Sequence, residues 1–286
     1  DPDGGWGGIQ PPWRYGLMAR RGEGYPFHHP VMAKALAALD DPGWRHDKGD
    51  ASWVQATNSP VWDTMLAIMA LHDAKAEERF TPEMDKALGW LLDRQVRVKG
   101  DWSIKLPNVE PGGWSFEYAN DFYPDTDDTA VALIALASCR HREEWKQRGV
   151  EEAIKRAVKW LIAMQSACGG WGAFDKDNNK SLLSKIPFCD FGEALDSPSV
   201  DVTAHILEAF GILGLPRDIP AIQRALAYVR AEQDPQGPWF GRWGVNYLYG
   251  TGAVLPALAA IGEDMTQPYI AKACDWLISC EHDDGG

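Results

Sequence analysis

Apolar positions recur every three or four residues through four stretches of the chain, a period that predicts helices. The stretches are Ala87-Leu-Gly-Trp-Leu-Leu-Asp-Arg-Gln95, Ala157-Val-Lys-Trp-Leu-Ile-Ala-Met-Gln165, Ala225-Leu-Ala-Tyr-Val-Arg-Ala-Glu-Gln233 and Ala273-Cys-Asp-Trp-Leu-Ile-Ser-Cys-Glu281. Each places an aromatic residue three after Ala, then Gln or Glu five further on. The first three run into a Gly-rich turn, with Trp102, Trp171 and Trp239 as the expected turn tryptophans. Glycine ends the helix. The Gln side chain can then bond the turn while the Trp ring covers the helix end, stitching one unit to the next. The fourth stretch stops where its Trp would stand.

A more apolar helix precedes each of these, and its expected start is a threonine: Thr64, Thr129, Thr203 and Thr251. Helices apolar almost all round are buried ones. From Thr to the later Gln or Glu the distances are 31, 36, 30 and 30 residues, so an α-α hairpin is repeated four times. Apolar inner helices and amphipathic outer ones predict an all-α fold, an α/α barrel. An open solenoid is the lesser alternative.

The residue two before each threonine is Trp62, Asp127, Asp201 and Tyr249. Four residue types at one structural position suggest that each unit offers a different group to a shared cavity. Ordinary helix caps are the competing explanation.

The chemistry concentrates in Tyr123-Pro-Asp125-Thr-Asp127-Asp128-Thr129. An acidic N-cap explains one of these acids. Three acids in four residues exceed what a cap requires, and packed together they cannot all ionise. A carboxylic acid that keeps its proton in a dry cavity is what protonating an alkene demands. Helix N-terminal amides would support its conjugate base. His205 lies four residues after Asp201 and shares its helix face. It is either a structural histidine or an imidazolium that favours the ionised acid. Trp62, Phe116, Phe174, Trp243 and Tyr249 could stabilise later cations through their ring faces, or be packing residues.

The net charge of −13, without a basic run, excludes nucleic acid as a partner class. Five cysteines with no CxxC pair point to a reduced, cytosolic setting. No apolar run approaches the ~18–20 residues of a membrane span. Asp175-Lys-Asp-Asn-Asn179 lacks the glycine and glutamate of a calcium loop, and His28-His29 has no spaced partners for zinc, so no metal and no cofactor is expected. The opening Asp1-Pro-Asp-Gly-Gly-Trp6 and the closing Glu281-His-Asp-Asp-Gly-Gly286 read as one phrase cut at different places. A piece of a longer protein is the expectation. The oligomeric state is left open, a homodimer included.

Gly7-Gly-Ile-Gln-Pro-Pro12, Ser59-Pro-Val-Trp-Asp-Thr64, Pro124-Asp-Thr-Asp-Asp-Thr-Ala130, Ile186-Pro-Phe-Cys-Asp-Phe-Gly-Glu193, Asp201-Val-Thr-Ala-His205 and Gly241-Arg-Trp-Gly-Val-Asn-Tyr-Leu-Tyr-Gly-Thr-Gly252 make the chain resemble the squalene–hopene cyclases, class II terpene cyclases. The Gly-Trp turns resemble that family's QW motifs. The resemblance implies acid-initiated cyclisation of squalene to hopene or hopanol, for hopanoid biosynthesis. Asp127 then matches the proton donor, Asp125 and Asp128 its flanking acids, and His205 its hydrogen-bond partner. Trp62, Phe116, Phe174 and Trp243 match cavity aromatics, and Tyr249 a tyrosine near the acid. Phe188 and Cys189 match the substrate-channel constriction. Ile9, Gln10 and Pro11 match the far end, where water meets the final cation. Residues 1–45 would close a second α/α barrel, and 46–286 would form most of the catalytic one. The resemblance also implies monotopic attachment to membrane lipid, at the cytoplasmic face.

The chain departs from the family pattern at Phe174, where some members carry Tyr, and at Ser197 and Val200, where Pro and Glu are commoner. An oxidosqualene cyclase is the nearest rival, but it keeps a single catalytic acid. The full Asp-x-Asp-Asp favours the bare alkene. Cyclases of diterpene diphosphates or other polyprenes share the motif. A non-catalytic α-α repeat scaffold is the alternative of a different class.

Overall fold

The structure, a computed structural model, describes residues 4–41, 43–76, 79–118, 120–179 and 195–284. The helices α1 (Gln10–Gly22) and α2 (Pro30–Ala38) come first, then the hairpin β1 (Arg45–Lys48) and β2 (Ala51–Val54). After it follow α3 (Pro60–Asp73), α4 (Thr81–Asp93), α5 (Thr126–Ala137), α6 (Glu143–Gln147), α7 (Val150–Met164), α8 (Val200–Ile212), α9 (Pro220–Ala231), α10 (Asn246–Ala260) and α11 (Pro268–Cys280). The hairpin was not anticipated. It pairs antiparallel with Lys48 opposite Ala51, and Gly49 takes the left-handed conformation (φ +65°) that the tight turn requires.

The inner helices α3, α5, α8 and α10 pack side by side in that order, and α4, α7, α9 and α11 back them from outside. This is an arc of an α/α toroid. Its middle helices α5 and α8 are buried almost all round, as their apolar sequences require. The flanking α3 and α10 each have an inner-helix neighbour on one side, and they leave Leu66 and Leu248 exposed. The unit with the longest threonine-to-glutamine spacing carries the extra helix α6, which buries Trp145. A second, smaller core holds Trp13, Leu17, Met32, Ala35, Ala38 and Trp44, from α1, α2 and the entry to β1. No described helix is long and apolar enough to cross a membrane.

The predicted stitch between units is present. The amides of Gln95, Gln165 and Gln233 each donate twice. One bond goes to the Gly112, Gly169 or Gly237 carbonyl of the adjoining turn. The other goes to Ala153, Ala221 or Tyr269 in the first turn of the next outer helix. The turn backbones press on those helices so closely that a Cβ on Gly169 would stand 2.5 Å from the Arg224 carbonyl oxygen.

Two expectations are corrected. The turn tryptophan of the first unit is Trp114, not Trp102. Trp114, Trp171 and Trp239 each donate Nε1–H to a carbonyl near the end of the preceding outer helix, at Leu91, Leu161 and Val229. Trp102 is buried, but its Nε1 has no partner among the described residues. A long loop separates Gln95 from Gly112-Gly113-Trp114 and displaced the expected register. The inner helices also start three to five residues before their threonines. The threonine is a bracket within the helix. Thr203, for example, donates to the Ser199 carbonyl (2.7 Å) and accepts the Trp171 amide (3.1 Å), and Thr129 does the same with Asp125 and Trp114.

Trp114→Phe removes a buried hydrogen bond at 2.7 Å, whereas Trp102→Phe removes an unpaired N–H. By chemical denaturation Trp114→Phe is expected to cost about 1–2 kcal/mol more. Equal losses would contradict the assignment.

Candidate active site

With the helix starts corrected, Trp62, Asp127, Asp201 and Tyr249 fall in the first turns of α3, α5, α8 and α10. The helices are neighbours, so these residues share one end of the arc. None of the four is on the open surface: Asp201 is fully buried and the others are half-buried.

Asp125 is the N-cap of α5 and accepts the Asp128 amide at 2.7 Å. The turns on either side fix it. Its own N–H donates to the Trp114 carbonyl, and Thr126 donates to the carbonyls of Ala173 and Gly172. Asp127, one residue into the helix, projects towards α8. Its carboxylate lies 2.6 Å from His205 Nδ1, with 13% of the Asp127 side chain and 15% of the His205 side chain exposed. Burial alone would lower the His205 pKa. The adjacent Asp127 carboxylate, its hydrogen bond and the charges of Asp201 and Glu208 outweigh burial and raise it, so the imidazolium is favoured.

Asp125 and Asp128 are buried, and each has one carboxyl oxygen without a hydrogen-bond partner among the described residues. Burial, with the charge of Asp127, pushes Asp125 up to about 7, although the bonds it accepts oppose this. Burial and the charges of Asp125 and Asp127 push Asp128 well above the usual carboxylate range. Both flanking carboxyls are thereby biased towards their protonated forms.

The sign follows from linkage. The stability contributed by a carboxyl with a raised pKa is present below its unfolded pKa, ~4, and is lost as pH rises through about 7 for Asp125. Asp128→Asn removes one of the two competing carboxyls. Its unfolding free energy is expected to fall less between pH 5 and 8 than that of the parent, measured by urea denaturation. An unchanged pH slope would contradict the shared-proton reading.

Tyr249 stands edge-on to His205, ring centroids 6.2 Å apart, and its hydroxyl pKa is raised by burial and by the Asp127 and Asp201 charges. Asp201 does not face open space. One of its oxygens accepts the amides of Arg242 and Trp243, both at 2.8 Å. Trp243 in turn meets Phe174 edge-to-face at 6.3 Å, and both rings are substantially exposed, 49% and 38%. Trp62 is half-buried against the main core, and Phe116 is half-buried two residues after Trp114.

Ile9, Gln10 and Pro11 line a separate groove of about 530 Å³ with Tyr15, Met18, Val54 and Thr57. The Gln10 backbone N–H donates to the Ala56 carbonyl, and Gly8 (φ +67°) lies against Glu117, beside Phe116. Phe188 and Cys189 lie outside the described residues. Two residues at the site went unremarked in the sequence, Asp196 and Arg242. The only signal for Arg242 was its place between Gly241 and Trp243.

The family "Squalene-hopene cyclase C-terminal domain" matches residues 58–286, and "Squalene-hopene cyclase N-terminal domain" matches 1–48. The squalene–hopene cyclase of Alicyclobacillus acidocaldarius is 50% identical over 261 residues, which cover 91% of this chain and 40% of that protein. That of Bradyrhizobium diazoefficiens is 40% identical over 284 residues, covering 99% and 42%. The chain thus spans about 40% of the length of these relatives. A type II terpene cyclase from Scytonema, solved in complex with geranylgeranyl dihydroxybenzoate, shares the fold. Its TM-score is 0.50 at 22% identity, over 85% of this chain and 60% of that one. A family 76 mannosidase from Bacteroides thetaiotaomicron has a TM-score of 0.51 at 13% identity, over 83% and 64%, so the arc by itself does not select a chemistry.

Proposed function

This chain belongs to the squalene–hopene cyclase family, and from that premise we propose that it carries the acid end of the active site of a triterpene cyclase. The observation that carries the reading is the 2.6 Å contact between Asp127 and His205 beside two buried carboxyls. In the reacting state Asp127 has taken up a proton on the carboxyl oxygen that does not face His205, and it delivers that proton to a terminal double bond of squalene. The Oδ–H bond breaks, a C–H bond forms from the π electrons, and a tertiary cation remains. The Asp127 carboxylate left behind accepts the Nδ1–H of the His205 imidazolium, so its charge is stabilised where it forms. Asp125 and Asp128, by retaining protons, keep further negative charge away from it.

Ring closures then move the cation away from the acid. Phe174, Trp243, Phe116 and Trp62 offer ring faces that stabilise a cation without accepting its proton. The cascade ends when the last cation loses a proton to water, giving hopene, or takes up water and passes a proton from the resulting oxonium ion to a second water, giving hopanol. The Ile9–Gln10–Pro11 groove is the proposed place for that step. Residues 1–45 are proposed to complete a second barrel, supported by their separate core, and 46–286 to form most of the catalytic one. An apolar substrate stored in lipid favours monotopic membrane attachment at the cytoplasmic face.

The test is product analysis of the full-length enzyme supplied with squalene and, separately, with its 2,3-epoxide. Pentacyclic hydrocarbon or alcohol from squalene is the expected result. Turnover of the epoxide alone would assign the chain to the rival reaction.

A further inference from the structure

Two carboxylates five residues apart, the half-buried Asp196 and the fully buried Asp201, hold the two segments that carry Phe174 and Trp243. Asp196 accepts the backbone amides of Ala173, Phe174 and Asp175, at 3.1, 2.6 and 2.6 Å. Asp201 accepts those of Arg242 and Trp243. The Arg242 guanidinium joins the two clamps by donating to the carbonyls of Leu195 (2.7 Å) and Ser197 (3.1 Å), on either side of Asp196. Its cation also lies 5.9 Å from the Trp243 ring centroid.

The anchors reach the acid site through the backbone. The Gly172–Ala173 carbonyls accept from Thr126, next to Asp127, and Asp201 lies one helical turn before His205. The Phe174–Trp243 pair is thereby registered to the two helices that bear the acid and its partner. Both rings are partly exposed and make an edge-to-face contact with each other, so side-chain packing alone does not fix them. Their amides do.

We propose that Asp196 and Arg242 are positioning residues that set the placement of the Phe174–Trp243 pair against the acid, and with it the point at which cyclisation stops. The proposal rests on the cyclase reading. A cation–π contact falls off with ring displacement, so a pair released from its clamps stabilises an intermediate cation less well. The cation then loses a proton early.

The experiment compares Arg242→Met, Arg242→Lys and Asp196→Asn with the parent full-length enzyme. One readout is the product ratio from squalene. The other is the fluorine NMR signal of 5-fluorotryptophan at position 243, assigned with Trp243→Phe. Arg242→Met is expected to raise the share of early-terminated products about tenfold and to shift or broaden the Trp243 signal. Arg242→Lys should recover part of both effects. Asp196→Asn, which keeps one acceptor oxygen, should fall between Arg242→Met and the parent, and it decides the matter if Arg242→Met does not fold. A product ratio and a Trp243 signal unchanged in the folded variants would overturn the proposal, even if melting temperatures fall. If the parent cyclises nothing, the cyclase reading fails, and the fluorine signal alone then decides whether the clamp positions the ring.

Discussion

Trp171→Ala is expected to remove about 3–5 kcal/mol of stability, a large part of the ~5–15 kcal/mol that holds a domain together. Trp171 is fully buried. Its Nε1–H is bonded to the Leu161 carbonyl at 2.7 Å, its backbone N–H to Thr203, and its carbonyl to the Ser199 amide. It thus ties the end of α7 to the start of α8 and borders Phe210. Alanine keeps the backbone bonds but empties the space between two units. Urea denaturation of the full-length protein would read the loss. Trp53→Ala, at an exposed position on the hairpin, is the control and should change stability by under about 0.5 kcal/mol. A loss at Trp171 no larger than at Trp53 would remove the stitch from the account.

The stitch was legible because it repeats. Ala157, Trp160 and Gln165 recur at fixed offsets, and the Gln amide can donate both to the turn carbonyl and to the next outer helix while its oxygen accepts from that helix, as Gln95 does from Arg156. Trp102 was misassigned for the same reason. It stands within one residue of the expected distance from Gln95, and the loop before Gly112 carries no periodicity to reveal the insertion. The threonines were read as starts because they head the apolar runs. Their side chains bond backward to the helix, which a pattern of apolar positions does not encode.

At the site, the repeat foretold that Asp127 and Asp201 occupy equivalent positions, and so that His205, one turn after Asp201, could reach Asp127. It did not foretell that Asp201 turns away to cap Arg242 and Trp243. Asp196 and Arg242 act on backbone amides and carbonyls. Such contacts leave no spacing signature, because any segment can supply them. The hairpin at 45–54 was missed because its strands are four residues each and largely exposed, with little alternation to read.

Asp127→Asn is expected to take squalene turnover in the full-length enzyme to background. The amide preserves size and can still accept from His205, but it holds no proton acidic enough to transfer to an alkene. His205→Ala should be less severe, roughly 10²–10⁴-fold, since the acid remains and loses only the partner that stabilises its conjugate base. Asp127 is not the N-cap of α5; that place belongs to Asp125. A helix-capping role for Asp127 therefore predicts almost no cost in either variant.

The most direct measurement is single-turnover conversion of squalene by Asp127→Asn, with folded content matched to the parent by circular dichroism and denaturation midpoint. The account predicts no cyclised product above the uncatalysed background. Cyclised product at a rate near the parent's would contradict Asp127 as the proton donor.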